Sequence, residues 1–291
     1  MALAFSPIFT KLSEIELSPT ATIFNRLWIA TVIMGSWQLS KTSLATASEV
    51  TEFSTSKFSY KKQGLLILAS ILATISAVLW AISFTQTSVA SSTVLRSLTP
   101  LFISAGAWLI LKQQFNSQFV IGMILAILGG IIIGWDDLQL GTDHLIGDGI
   151  ALMSAALHGG NILTVGYLRN CGCATTTVLF WRCGFGATIV LPVVWLTNTA
   201  WLPTSPQGWL AVIALAVVCQ TFGQGLLVFS LKHFSSSFVG IFTLLKPILT
   251  ALLAWFIFSE HLSLINGVAV MLILTGIYLA KSNRDRLASD T

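Results

Sequence analysis

Four basic residues lie inside long apolar runs of this chain: Arg26, Arg96, Arg182 and Lys246. No Asp or Glu occurs at a comparable depth in those runs. A charge at the centre of a bilayer costs about 2.5–3.5 kcal/mol on insertion scales, so it normally faces a cavity or a partner. Arg26 and Arg182 are early in their runs and either snorkel to the headgroups along their stems or face a cavity. Bases without acidic partners attract an anionic group of a solute, or bond carbonyl groups of the protein.

The two deeper bases each lie close to a proline. Arg96 precedes Pro100, and Lys246 directly precedes Pro247. A proline frees a carbonyl one turn earlier and kinks the helix, which opens space for water or solute. We therefore predict that Arg96 and Lys246 line a solute cavity and attract an anionic group.

Other polar and aromatic side chains in the apolar runs are candidates for the same cavity. His158 either acts as a proton-linked switch, since its unperturbed pKa is near 6.5, or hydrogen-bonds between helices. The glutamines either bind solute or join helices. The tryptophans either stack on an organic solute or anchor at the membrane interface. These candidates are His158, Asn161, Gln220, Gln224, Trp80 and Trp108.

The composition is that of a membrane protein. Apolar residues make up 55% of the chain and charged residues 9%, against roughly a quarter charged in soluble domains. The net charge of +4 does not indicate nucleic-acid binding, because topology governs where the bases lie. Cys171 and Cys173 lack the further ligands that a metal site needs, and Cys183 and Cys219 lie within apolar runs. We predict no metal, no cofactor and no disulfide framework.

Apolar windows of about 17 to 25 residues are long enough to span a bilayer as helices. Nine such windows predict transmembrane helices. They cover residues 20–40, 63–84, 88–111, 118–135, 149–168, 175–197, 207–230, 236–258 and 263–281. The longest connection, 41–62, is rich in Ser, Thr and Lys and predicts a flexible loop.

The first eleven residues, Met1 to Lys11, are hydrophobic but span only about 17 Å as a helix, against a hydrocarbon core of about 30 Å. They lack the basic start and cleavage site of a signal peptide. We predict that they are the second half of a transmembrane helix whose beginning is encoded upstream of Met1. Counting this helix gives ten, five in each half.

The two halves repeat each other at an offset of 147 residues. A duplicated, almost wholly hydrophobic chain indicates a transporter made of two structural repeats. The matched segments are Leu98-Thr99-Pro100-Leu101 with Leu245-Lys246-Pro247-Ile248, Ala107-Trp108 with Ala254-Trp255, and Gly129 with Gly276. We place the repeats at 1–135 and 149–281.

Alternation through ten spans places ten loop and tail bases on one side and only Lys11 on the other. By the positive-inside rule, both termini, the 41–62 loop and the 282–291 tail are then cytoplasmic, and 136–147 is external. Five helices per half, an odd number, make the repeats inverted. We predict the plasma membrane of a bacterium.

The segment from Ser236 to Lys281 resembles the end of an EamA-type member of the drug/metabolite transporter superfamily. The features that carry the resemblance are Pro247, Trp255, Glu260, Gly267 and Gly276, with a weaker first copy at Pro100, Trp108, Gln113, Gly122 and Gly129. A second feature is the pair Phe24-Asn25-Arg26 and Phe180-Trp181-Arg182. The chain departs from the family in its short first helix and at Gln113, where the family commonly has an acid.

The resemblance implies ten helices in two inverted repeats, a central cavity lined by the first four helices of each half, and movement of small organic solutes. We predict a secondary transporter that exports metabolites, amino-acid-like compounds or drugs by alternating access. No Gly-rich nucleotide-binding loop occurs, so the chain does not drive transport with its own ATPase. The alternatives are an intramembrane enzyme or a channel- or receptor-like protein. We find no nucleophile, zinc or paired-carboxylate motif for an enzyme.

Small residues recur every four positions along the predicted fifth helix, at Gly122, Ala126, Gly130 and Gly134. This spacing places them on one face, where another helix approaches closely. The partner helix belongs either to the same chain or to a second copy in a homodimer.

Overall fold

The structure, a computed structural model, describes residues 2–44, 60–87, 89–133, 145–196, 200–246, 249 and 264–287. Every regular element in these ranges is helical, which agrees with the predicted fold class. Five helical stretches in the described ranges are long and apolar enough to cross a membrane: Tyr60–Ser83, Ser92–Leu111, Leu145–Asn170, Thr175–Leu196 and Pro206–Ser230. The total of ten spans stays a prediction.

A 3₁₀ turn at Ala2–Phe5 precedes the first α-helix. The helices are α1 Ser6–Ser13, α2 Pro19–Leu44, α3 Tyr60–Gln86, α4 Val89–Arg96, α5 Thr99–Leu111, α6 Ser117–Ile133, α7 Leu145–Asn170, α8 Thr175–Leu196, α9 Pro206–Ala214, a π-helix at Leu215–Gly223, α10 Gln224–Ser230, α11 Ser236–Phe242 and α12 Leu264–Leu287.

Several helices extend beyond the apolar windows. α2 continues to Leu44, α3 begins at Tyr60, and α12 continues to Leu287. Hydropathy marks only the part of a helix that meets hydrocarbon, whereas backbone hydrogen bonds continue through its polar ends. Residues 45–59 lie outside the described ranges, as do Gly134, Pro247, Trp255 and Glu260.

The window predicted at 88–111 contains two helices. α4 ends at Arg96, Ser97 and Leu98 form a turn, and α5 begins at Thr99 with Pro100 in its first turn. Proline has no N–H to donate to the preceding turn, so the helix is interrupted directly before it. The Thr99 hydroxyl donates to the Arg96 carbonyl at 2.6 Å. The interruption thus places Arg96 at a helix end.

The helix predicted at 207–230 contains a π-helical stretch. Leu215–Gly223 separates α9 from α10, and the Thr221 hydroxyl donates to the Ala216 carbonyl, five residues earlier, at 2.9 Å. A π-helix bonds residue i to residue i+5 and therefore turns the following side chains away from their α-helical directions. Gln220 lies inside this stretch and Gln224 directly follows it.

The chain forms two compact units. Unit 1 contains residues 75–163 and 233–291, and unit 2 contains residues 2–74 and 164–232. In unit 1, α6 packs closely on α12: a Cβ added to Gly122 would lie 2.5 Å from the Gly276 carbonyl oxygen, and one at Gly129 would lie 2.7 Å from the Ala269 oxygen. The face with Gly122 and Ala126 is therefore used within this chain. Homodimer formation stays a prediction.

In unit 2, α2 packs on α8. A Cβ on Gly35 would lie 3.3 Å from Phe180, and one on Gly186 would lie 3.0 Å from Leu27. Asn25 of α2 is fully buried and donates from Nδ2 to the Trp201 carbonyl at 2.6 Å. These contacts hold α2 against α8 and against the connection that contains Trp201.

Candidate functional site

The sequence places two serines where α3 and α7 meet in unit 1. The Ser76 hydroxyl donates to the Ser154 carbonyl at 2.9 Å, and the Ser154 hydroxyl donates to the Ser76 carbonyl at 2.8 Å. Both side chains are buried. Because small hydroxyls let helices approach closely and bond across the contact, this exchange fixes α7 against α3.

Arg96, at the end of α4, reaches this serine pair. Its Nη1 donates to the Ser154 hydroxyl, and its Nη2 lies 3.4 Å from the Ser76 hydroxyl. Its Cζ lies 4.7 Å from the centroid of the Trp80 ring, which is within cation–π range. We call Arg96, Trp80, Ser76 and Ser154 the Arg96 site. It presents a positive charge on an aromatic surface.

The polar face of α7 continues from this site. Ser154, His158 and Asn161 are spaced by four and three residues and therefore share one face of the helix. His158 is half-buried, while Asn161 is only 2% exposed. The Asn161 Oδ1 has no hydrogen-bond partner in the described part of the chain. A buried acceptor without a partner is costly, so this atom can bind a donor of a solute or a water.

Two more buried hydroxyls lie on helices that pack at the same place. Ile103 of α5 contacts α7 at Gly159 and α11 at Gly240, where added Cβ atoms would lie 3.2 Å and 2.6 Å from its atoms. Ser104 follows Ile103, and Ser237 lies one turn before Gly240. Among the described residues, neither hydroxyl oxygen has a partner.

Lys246 is the other predicted cavity base of unit 1. It is half-buried and lies after the turn at Thr243 and Leu244 that ends α11, and its backbone N–H donates to the Thr243 carbonyl at 3.0 Å. The chain is therefore interrupted just before Pro247, as it is before Pro100. Pro247 itself lies outside the described residues.

In unit 2 the structure joins Arg26 and Arg182 each to one of the two predicted glutamines. Arg26 Nε donates to Gln220 Oε1 at 2.8 Å, and Arg182 Nη2 donates to Gln224 Oε1 at 3.1 Å. Arg182 is 6% exposed and Gln220 is 4% exposed. Arg182 therefore does not snorkel to the surface of its unit. The glutamines join helices by bonding these arginines.

Three further positions named in the sequence analysis, Trp108, Gly129 and Gly276, lie at exposed or helix-packing places outside these polar clusters. Trp108 is 61% exposed on unit 1, as an interface anchor would be. Gly129 and Gly276 provide close helix packing, and the described residues contain no cluster of three potential metal ligands.

Outside the helices, Glu16 joins two connections of unit 2. Its carboxylate accepts from the Ser205 hydroxyl, from the Ser205 N–H at 3.1 Å and from the Thr204 N–H at 3.0 Å. Hydrogen bonds from Ser205, first from its hydroxyl and then from its N–H, hold the pKa of Glu16 below its ordinary value. Two residues away, burial raises the pKa of Glu14.

Sequence reasoning missed Ser76, Ser154 and Arg169 as structural partners. The spacing of Ser76 from Trp80 and of Ser154 from His158 is four residues in each case, which is a usable signal for one helix face. Arg169 is buried and bonds the carbonyls of Val228, at 3.1 Å, and Cys173. No local pattern indicates this contact.

Comparison with known proteins gives a match along nearly the whole chain. The model of the EamA-like transporter family matches residues 1–135 and 145–281. This chain belongs to the EamA-like transporter family. The resemblance stated from the sequence is thereby confirmed, and the chain is a membrane protein of a transporter family. Each compact unit of this EamA-like chain draws helices from both matched ranges.

Two relatives of this EamA-like chain have names that state transport but no substrate. An "Uncharacterized transporter" of Archaeoglobus fulgidus is 21% identical over 289 residues, or 97% of this chain and 94% of that protein. "Uncharacterized transporter YxxF" of Bacillus subtilis is 23% identical over 211 residues, or 72% of this chain and 67% of that protein. A solved crystal structure with 14% identity matches with a TM-score of 0.77, covering 98% of this chain and 94% of its own. It shows the same fold.

Proposed function

We propose that this protein is a secondary transporter that moves a small organic solute across the plasma membrane of a bacterium by alternating access. The single observation that carries the proposal is the family match in both halves of the chain. Coupling comes from an ion gradient, from exchange or from facilitation, since no nucleotide-binding loop occurs in the sequence.

The proposed architecture is ten membrane-spanning helices in two inverted repeats, with both termini cytoplasmic. Five membrane-length helices in the described ranges and two successive family matches support it. The distribution of loop bases supports the orientation.

A cysteine introduced at position 142 should react with an impermeant reagent added from outside, and one introduced at position 46 should not. The reverse pattern would overturn this orientation.

The Arg96 site is the proposed solute site. Its guanidinium lies over Trp80, so it suits a solute that has an anionic group beside a flat or apolar group. Asn161 Oδ1, on the face that continues from Ser154, is available to a donor of the same solute. Lys246 provides a second positive charge in unit 1. Export is the proposed direction.

The test begins with the purified protein. A panel of metabolites is screened for a rise in melting temperature, because a ligand that binds only the folded state stabilises it. Transport of the compounds that raise it is then measured in proteoliposomes. Arg96→Met and Lys246→Met keep the apolar stems but remove the charges, so folding should survive while transport is lost.

Lys62→Met is the matched control. Lys62, near the start of α3, donates to the Cys171 carbonyl at 3.1 Å and bonds no member of the Arg96 site. The Lys62→Met variant should transport the solute at the wild-type rate. If Arg96→Met and Lys246→Met also do so, the charged solute site is wrong, whereas the absence of any transported compound would overturn the proposed function itself.

A further inference from the structure

Two guanidinium groups of unit 2 bond side-chain amides, and they are not part of the solute site of unit 1. Arg26 of α2 is partly buried and Arg182 of α8 is 6% exposed. The glutamine that bonds Arg26, Gln220, also donates from Nε2 to the sulfur of Cys183 at 3.3 Å, and Cys183 is the neighbour of Arg182 in the chain. We call Arg26 and Arg182 the arginine pair. Gln220 thus bonds one member of the pair and the chain neighbour of the other.

The acceptors around the arginine pair are few and neutral. A guanidinium has five N–H donors. Arg26 uses donors on the Gln220 amide at 2.8 Å and, weakly, on the Ser6 hydroxyl at 3.5 Å. Arg182 uses one donor on the Gln224 amide at 3.1 Å. Within the described ranges no carboxylate bonds either group, so most donors of the pair are available.

Two like charges enclosed in one helical unit repel each other, and an enclosed charge without a counter-ion loses its hydration. Burial of this kind is normally compensated by an opposite charge. Amide oxygens orient a guanidinium but do not neutralise it. Arg169 of the same unit is likewise held by neutral oxygens, those of two backbone carbonyls.

We propose that the arginine pair binds an oxyanion, either a carboxylate or a phosphate group, with Gln220 and Gln224 as positioning residues. The guanidinium fork matches two oxygens of such a group. Arg26, which is partly exposed, admits the anion, and the buried Arg182 completes its coordination. The π-helix at Leu215–Gly223 contributes Gln220, and π-helical turns are frequent at functional sites.

The experiment measures melting of the full-length protein in an uncharged detergent. Inorganic phosphate and acetate are titrated against chloride at constant ionic strength, so that screening alone does not change stability. The wild type should show a saturable rise in melting temperature. Arg26→Met and Arg182→Met should each raise the apparent Kd about 10-fold or more, because a charge-assisted hydrogen bond is removed.

Two variants separate binding from folding. Arg169→Met removes a buried guanidinium that bonds only backbone carbonyls, so it should lower the melting temperature and leave the phosphate-induced rise intact. Gln224→Glu places a carboxylate beside Arg182. It should raise the melting temperature without added anion and abolish the rise with phosphate. This second variant keeps the test informative even where Arg182→Met does not fold.

A third series distinguishes the source of the anion. Phosphatidylglycerol and phosphatidylcholine are added to the same micelles. A rise with phosphatidylglycerol alone identifies a lipid headgroup as the occupant, and a rise with phosphate or acetate identifies a free anion. The proposal is overturned if none of these anions raises the melting temperature, or if the rise is the same in Arg26→Met, Arg182→Met and Gln224→Glu.

Discussion

Arg96 in unit 1 and the arginine pair in unit 2 are bases of the apolar helices of the same chain, and they have different partners. Arg96 lies over the Trp80 ring and bonds serine hydroxyls that themselves connect α3 and α7. Among the described residues, Arg26 and Arg182 bond amides and one distant hydroxyl. In the first arrangement, around Arg96, two neutral hydroxyls and an aromatic face stabilise one charge. In the second, each of two charges has few acceptors.

This difference indicates that the Arg96 site and the arginine pair select their ligands by different properties. An aromatic face beside one guanidinium selects a solute by its flat or apolar part as well as by its charge. Two guanidiniums that contact no aromatic face within the described ranges select for charge and for oxygen geometry. Arg169, which bonds two backbone carbonyls, provides a third case in which the base stabilises the fold.

The largest expected effect is a loss of transport when the charge of the Arg96 site is removed, while anion binding by the arginine pair persists. Arg96→Met should reduce transport of a verified solute about 100-fold, since a charge-assisted contact contributes on the order of 3 kcal/mol. It should leave the phosphate-induced rise in melting temperature unchanged. Proteoliposome uptake and thermal melting measure the two properties on one preparation. If the variant loses both, the two regions do not act separately.

The next effect concerns the base held by the backbone. Arg169→Met leaves the buried carbonyls of Val228 and Cys173 without this donor, which should destabilise unit 2 by about 2–3 kcal/mol. Arg182→Met, which frees only the Gln224 amide, should destabilise it less when no anion is present. Melting in chloride buffer ranks the variants. A larger loss for Arg182→Met would show that the arginine pair is primarily a structural contact.

A smaller effect is expected from the pair of hydrogen bonds between Ser76 and Ser154, which Arg96 contacts. Ser154→Ala removes the hydroxyl that donates to the Ser76 carbonyl and accepts from Arg96, and should destabilise the protein by about 1 kcal/mol. It should also weaken solute binding, because Arg96 loses an orienting acceptor. Ser36→Ala, on an exposed α2 hydroxyl that bonds its own helix, is the control and should change neither property. If Ser154→Ala binds the solute as tightly as the wild type, the Ser154 hydroxyl does not orient Arg96.

The smallest effect is a pH dependence outside the membrane-spanning helices of unit 2. Because the folded-state pKa of Glu16 is lowered, its contribution to stability is present above the unfolded value of about 4.3 and is lost as pH falls through the folded value. Glu16→Gln should therefore lower the melting temperature at pH 7, and the two proteins should converge in acid.

Glu14→Gln provides a control of opposite sign for this pH series. Burial raises the folded-state pKa of Glu14, so its contribution is present below the unfolded value and is lost as pH rises through the folded value. The variant should melt higher than the wild type at pH 7. Parallel curves for both variants across the pH range would contradict these assignments.

Much of the fold follows from local patterns in the sequence. Hydropathy identifies membrane-length helices because the bilayer selects about 20 consecutive apolar residues. The interruption before Pro100 follows from a missing N–H. The π-helix at Leu215–Gly223 has no such signal, since the preference for i+5 bonding depends on neighbouring helices. The sequence therefore predicts one regular helix at 207–230.

The sequence alone determined that the chain lies in a membrane, which family it resembles and which bases occur within apolar runs, because composition, periodicity and motifs are local properties. Tertiary structure decided the partners of those bases. Arg26 bonds Gln220 across 194 positions, and Arg96 bonds Ser154 across 58. A hydrogen bond depends on the distance and direction between two atoms, and these depend on how distant helices pack. Only packing therefore distinguishes a base on an aromatic face from a pair of bases held by amides.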